Sequence, residues 1–386
     1  MANTDKVAIV GIGQTKYRGK TEHALVEMIF EATSEALSDA GLERDNIESV
    51  VLAAHDQLDG RAITSMLTAS AAGAHLKDEI RIEEDGAFAL LLACLRILSG
   101  DFTNSLVVSW CKCSESSGDT LHKIANLSYD PFFYRPFALN DVTSYAIQAQ
   151  RYMHKYDVSE EHAAQVVVKN RSNGFKNDLA HIRSEVSVNE VMNSELVAFP
   201  LKKLDLPPWS DGACALVLVS GGVVKNFRKP CAWVRGFGCT NDTYYSGEKE
   251  LAEIGSLSLA AKQAYKMAGI SNPSAEIDIA EVHDLTSFHE LMIYEALGFC
   301  SKGMASEYLE SGATAINGEL PVNPSGGCLC SNPYTAVGLV RAAEAALQVM
   351  GCAGKHQISG VETALAHGTS GFCAQSNCVV ILGKQP

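Results

Sequence analysis

Short apolar runs alternate with amphipathic stretches through most of this chain, and that alternation limits the fold more than any other feature. Lys6–Thr15 (KVAIVGIGQT) reads as a strand ending in a glycine turn, and residues 23–40 then carry apolar positions three and four apart, the period of a helix. A strand at 50–54, a helix at 62–74, a short strand at 80–82, an apolar helix at 87–98 and a buried strand at 105–110 follow. After a polar, aromatic-rich stretch the order recurs. Strands are expected at 211–220, 232–237 and 277–282, helices at 256–267, 287–297 and 334–349, and closing strands at 356–361 and 377–382. The alternation predicts a mostly parallel sheet covered on both faces. The repeated order predicts two similar α/β halves, 1–222 and 223–386, the first holding an inserted cap at about 112–206 with helices near 143–156 and 160–173.

Composition excludes several functions. A 47% hydrophobic share over 386 residues rules out disorder, and 45 acidic against 31 basic residues, a net charge of −14, argue against binding nucleic acid. No stretch reaches the ~20 apolar residues a bilayer needs, and MANTDKVAIVGIG lacks a signal-peptide core, so no membrane contact and a cytoplasmic location are expected. The 12 cysteines form neither a disulfide ladder nor a zinc-ribbon pattern, and most should be buried apolar residues. No bound metal and no tightly held cofactor are expected. The thiol-rich composition suits a reducing or anaerobic cell.

Chemistry concentrates in turns at strand ends, where α/β proteins place ligands. Asp278–Phe299 (DIAEVHDLTSFHELMIYEALGF) carries His283 and Asp284 between a strand and a helix, Asn323–Gly338 (NPSGGCLCSNPYTAVG) is glycine-rich, and 366–371 reads Ala-His-Gly-Thr-Ser-Gly. These segments, with Ser210-Asp211-Gly212-Ala213, resemble the motif set of the thiolase superfamily, particularly its sterol-carrier-protein-type members. The resemblance covers almost the whole chain. It implies a thiolase fold in a five-layered αβαβα arrangement, with coenzyme A as co-substrate and an acyl-CoA as substrate.

One departure stands out. Counting from Gly86 and from Gly100-Asp101, the position of the family's nucleophilic cysteine holds Glu83, and no cysteine precedes Cys94. What the resemblance then requires is hydrogen-bond donors for an enolate, for which His283 and Asn332 are the candidates. His367 is a candidate acid or base, because an imidazole titrates near neutral pH. Glu83 is a candidate base, and Cys330 a substitute nucleophile. Asp284, Gly327, Tyr334 and Gly371 are candidate substrate-binding residues. In the cap, Arg135, Lys169, Arg171 and Lys176 can meet phosphates or a carboxylate, and Phe132, Phe133 and Tyr134 can line an acyl pocket.

Two reactions fit the resemblance. Thiolytic, retro-Claisen cleavage of a β-ketoacyl-CoA is preferred. Retro-aldol cleavage of a β-hydroxyacyl-CoA, as in thiolase-like steroid side-chain aldolases, is the alternative, although those aldolases carry a tyrosine where this chain has His283. A degenerate scaffold or acyl-CoA-binding subunit is a third reading, against which the retained His283, Asp284 and His367 argue. Within the superfamily the chain most resembles the large thiolase subunit of benzoylsuccinyl-CoA thiolases of anaerobic aromatic degradation. That resemblance implies a homodimer within a heterotetramer, partnered by a small zinc-ribbon/OB-fold acyl-CoA-binding subunit that carries the zinc.

Overall fold

The computed structural model describes residues 6–137 and 139–386; the first five residues, part of the stretch read as lacking a signal core, lie outside the described residues. Nine strands form one sheet: β1 (Val7–Gln14), β2 (Ser49–Ala53), β3 (Asp78–Ile82), β4 (Asn104–Cys111), β5 (Gly212–Ser220), β6 (Ala232–Asn241), β7 (Ile279–Glu281), β8 (Thr363–Ser370) and β9 (Ser376–Gly383). Their order is β3-β2-β4-β5-β1-β6-β9-β8-β7. Reading outward from the β1–β6 seam, each side shows two antiparallel pairings followed by a parallel one. On the first side β3 adds a further parallel pair, and on the second an isolated parallel bridge from Ala280 to Val322 takes its place. The sheet is therefore mixed rather than mostly parallel, because β5 and β9 return between parallel neighbours.

The principal helices are α1 (Leu25–Ala40), α2 (Gly86–Leu98), α3 (Asp141–Tyr156), α4 (Glu160–Lys176), α5 (Gly255–Ala268), α6 (Ser287–Ala296) and α7 (Val337–Met350). Helices α2 and α7 pack on each other and on inward-facing residues of both halves, among them Ile9, Val107, Leu216, Val234, Val380 and Leu382. Helix α1 covers the other face of the first half and α5 that of the second. The outer helices approach by one device used twice. A Cβ on Gly11 or Gly13 would fall 2.1–2.3 Å from a carbonyl of α1, and one on Gly236 or Gly238 2.2–2.3 Å from a carbonyl of α5. Only glycine permits that spacing.

Two expected elements differ. Of 62–74 only Ser65–Thr68 is helical, because Ile63, Met66 and Leu67 face outward instead of forming a buried stripe. The strand expected at 356–361 is a single helical turn and coil, broken at Gly360 (φ 81°), and the strand begins at Thr363. His367 consequently lies inside β8 rather than on a loop.

No helix among the described residues is long and apolar enough to cross a membrane.

Candidate active site

The start of α2 is where the chain brings its reactive residues together. Asp85 is the N-cap: its Oδ1 accepts the Ala87 N–H at 2.9 Å, leaving α2 to begin at Gly86. Its Oδ2 accepts the Gly338 N–H at 2.9 Å, at the start of α7. Glycine is required around this carboxylate, since a Cβ on Gly338 or Gly368 would fall 1.8 or 2.2 Å from Oδ1.

His283 follows β7 and faces Asp85, with Nδ1 3.5 Å from Oδ2. The Thr369 N–H donates to the same Nδ1 at 3.3 Å, so the neutral ring carries its proton on Nε2. Nε2 has no hydrogen-bond partner among the described residues. Nor has the side-chain amide of Asn332, whose backbone is fixed by two bonds: its N–H to Ser210 Oγ at 3.1 Å and its carbonyl from Ser210 N–H at 3.0 Å. Both side chains line one cavity of about 820 Å³. The same cavity is walled by Glu83, Glu84 and Asp85, by the end of β8 and the turn after it through Thr369, Ser370 and Gly371, by cap residues including Val142, Tyr145 and Arg171, and by Pro208 and Trp209 just beyond the cap. Tyr334 joins it with its ring stacked on Trp209, centroids 5.2 Å apart. Glu84 accepts a hydrogen bond from Ser370 Oγ.

The structure separates the sequence candidates. His283, Asn332, Glu83, Tyr334 and Gly371 line the cavity; His367, Asp284, Gly327 and Cys330 do not. His367 is not placed as an acid or base: its Nδ1 accepts the His283 N–H at 3.4 Å, its Nε2–H donates to Asn377 Oδ1 at 2.9 Å, and burial pushes its pKa down to about 3. It holds the backbone of His283. Asp284 is likewise an internal anchor, accepting from Cys328 N–H (2.6 Å) and Asn170 Nδ2 (3.1 Å), while burial and then the Glu290 charge raise its pKa to about 7. Gly327, at φ 65°, passes so close to Asp284 that a Cβ would lie 2.7 Å from its carboxylate. Cys330 sits against Gly174 with its Sγ directed to the Asn170 carbonyl, and burial lifts its thiol to about 12. That is the environment of a core thiol.

Glu83 reaches the cavity edge but is engaged, 2.7 Å from Arg81 and 3.3 Å from His55. The apolar surroundings that would make it a strong base are missing, and Asp85, two residues on, occupies the buried position. An aspartate directly before a glycine that opens a helix is an N-cap signal visible in the sequence. Counting from the family spacing passes over it. In the cap, Lys169 pairs with buried Glu290 at 2.7 Å, Arg135 ties down the carbonyls of Tyr129 and Leu127, and Lys176 is exposed. Phe132 and Phe133 face solvent, and Tyr134 stacks on Phe372. Of these cap candidates only Arg171 lines the cavity.

Residues 238–384 match the family described as thiolase C-terminal domain-like. The chain is 31% identical over 379 residues to an acetyl-CoA acetyltransferase of Methanothermobacter thermautotrophicus, a match spanning 95% of this chain and 98% of that one. It is 32% identical over 237 residues to the benzoylsuccinyl-CoA thiolase subunit BbsB of Thauera aromatica, covering 60% and 61%. Among solved structures it is similar to the Ltp2-ChsH2(DUF35) aldolase, with a TM-score of 0.84 at 26% identity over 98% of both chains. Two α/β halves around a central helix pair, and a relative matched along almost its entire length, make this chain a member of the thiolase superfamily.

Proposed function

We propose that this chain is the thiolase-like subunit of a two-component enzyme that cleaves a β-ketoacyl-CoA by thiolysis, without an acyl-cysteine intermediate. Benzoylsuccinyl-CoA is the substrate suggested by the likeness to BbsB. The observation that carries the reading is the pair of unpartnered donors, His283 Nε2 and the Asn332 amide, in one cavity beside a buried carboxylate.

In this reaction the sulfur of CoA attacks the ketone carbon, the C–C bond breaks, and its electron pair becomes the enolate of the departing acyl-CoA. Positioned donors favour that enolate over the ground-state thioester. The thiol proton passes to a cavity carboxylate, for which Glu84 is better placed than the ion-paired Glu83 or than Asp85, both of whose oxygens already hold backbone N–H groups, and ends on the α-carbon. The cysteine at the cavity wall, Cys328, is held neutral by burial and the neighbouring Asp284 charge, so attack by CoA itself is the simpler route.

A second reading, retro-aldol cleavage, is favoured by Tyr334, whose hydroxyl has no hydrogen bond among the described residues, and by the similarity to an aldolase. The partner is a small zinc-ribbon/OB-fold subunit carrying the zinc, around a homodimer of this chain. The names of two similar proteins, a thiolase subunit and a two-chain aldolase, support pairing with a second chain.

Mass analysis of products from β-ketoacyl-CoA and β-hydroxyacyl-CoA substrates, with CoA and partner present, decides between the reactions. Two acyl-CoAs mean thiolysis, and a carbonyl compound plus one acyl-CoA means retro-aldol cleavage. No cleavage of either substrate sinks both.

A further inference from the structure

We infer that Arg171 is an anion-binding residue of the acyl pocket, and that the acyl group this enzyme accepts carries a free carboxylate. Arg171 lines the cavity from the middle of α4 yet is only 6% exposed. It makes no ion pair and no hydrogen bond among the described residues, and its Nε is buried without a partner. The other deeply buried arginine, Arg341, also has an unpartnered Nε but differs at its fork: its Nη1 donates to Glu281 at 2.6 Å and to Ser325 at 2.7 Å. An unpaired buried guanidinium is costly unless something negative arrives to meet it. Its planar fork suits a carboxylate held by two parallel bonds.

Position identifies which part of the ligand arrives. Helix α4 is pinned beside the reactive loops: Asn170 Nδ2 donates to Asp284 and to Glu290, and Asn173 Nδ2 to the Asn323 carbonyl at 3.0 Å. The Ile182 N–H donates to the Cys330 carbonyl at 2.9 Å, and Ile182 borders the cavity with Arg171. Arg171 therefore belongs to the wall that carries Asn332, two residues beyond Cys330. The pyrophosphate and 3′-phosphate of CoA lie a whole pantetheine arm away from the sulfur. A charge close to Asn332 consequently falls on the acyl side of the thioester. Glu84, which makes no ion pair among the described residues, leaves a carboxylate on the α2 wall, which disfavours a substrate carboxylate on that side and orients it toward Arg171.

The inference rests on the acyl-CoA reading but not on the reaction assigned to it, so its test uses binding alone. Calorimetry compares pairs of equal carbon count on the full chain, with partner subunit present: succinyl-CoA with butyryl-CoA, and glutaryl-CoA with pentanoyl-CoA. In at least one pair the wild type should bind the carboxylate-bearing member roughly tenfold or more tightly. R171Q should bring that member down to the level of its apolar counterpart, and R171K, which keeps the charge without the fork, should fall between. Equal affinities in both wild-type pairs would overturn the proposal whether or not R171Q folds. A loss in R171Q that is the same for every acyl-CoA and for free CoA would also overturn it, assigning Arg171 to a phosphate. Absence of any C–C cleavage in the product assay leaves this test unaffected.

Discussion

The Asp85 carboxylate stands 3.5 Å from the His283 ring, Oδ2 to Nδ1, while receiving backbone N–H groups from two helices. With Nδ1 accepting from the Thr369 N–H, Asp85 meets the neutral imidazole as a neighbouring charge and not as a hydrogen-bond partner, so it sets the field around the ring as well as capping two helices. Asn at this position keeps the shape but offers one acceptor where two are used. D85N should lower kcat about 100-fold with little change in KM, and unfold with about 1 kcal/mol less stability. Steady-state kinetics beside a thermal melt separates the two effects. A D85N enzyme with wild-type kcat would remove Asp85 from the chemistry.

His283 and Asn332 leave two donors open in the cavity, beside Arg171 and the Tyr334 hydroxyl. Each of H283A and N332A should cost about 10²–10³ in kcat, the loss typical of one oxyanion donor, with the fold intact by circular dichroism. Unchanged turnover in H283A, measured in the reconstituted complex, would favour the scaffold reading of this subunit.

Thiol reactivity follows burial. Cys239 and Cys352 are exposed, whereas Cys328 and Cys330 are buried, with burial the main cause holding both thiols up, Cys330 at about 12. Iodoacetamide at pH 8 on the native protein should label the first two and spare the second two, read by peptide mass spectrometry. C330A should retain turnover within about threefold, and no acylated protein should accumulate with substrate. An acyl adduct on Cys330 would reinstate the covalent route.

His367 supplies a pH test. Its folded pKa is lowered to about 3 chiefly by burial, so below about pH 6.5 the unfolded state binds a proton that the folded state refuses. The neutral ring's contribution is present in full above that value and declines as pH falls toward 3, by up to about 1.4 kcal/mol per unit. H367Q, which does not titrate, should be less stable than wild type at pH 7, and its deficit should shrink between pH 6.5 and 4.5 in denaturant titrations. A deficit constant across that range would mean that folded His367 titrates normally.

Much of this fold is legible because its elements are strongly periodic. The runs at 6–15, 105–110 and 211–220 are apolar enough to be buried strands, and helix 160–173 is set by Ser159 at its cap. Pairing direction is not legible: nothing local in β5 or β9 says that it runs against its neighbours. At the site, His283 is visible as a polar residue between a strand and a helix, and Asn332 as one in a glycine-rich segment. The role of His367 is hidden because Ala-His-Gly-Thr-Ser-Gly reads as a loop, yet Gly368 is needed inside a strand to make room for Asp85. Asp284 and Cys330 look reactive in sequence, and only burial and hydrogen bonding reveal them as internal.

The double cap at Asp85 has a consequence for charge. The amino ends of α2 and α7, one from each half of the chain, converge on a single carboxylate. Each end carries about half a positive charge from its aligned peptide dipoles, and together they roughly balance one carboxylate charge. Here a carboxylate of the chain itself occupies that focus. Any negative charge produced during turnover finds that field already neutralised and must be held by directional bonds alone.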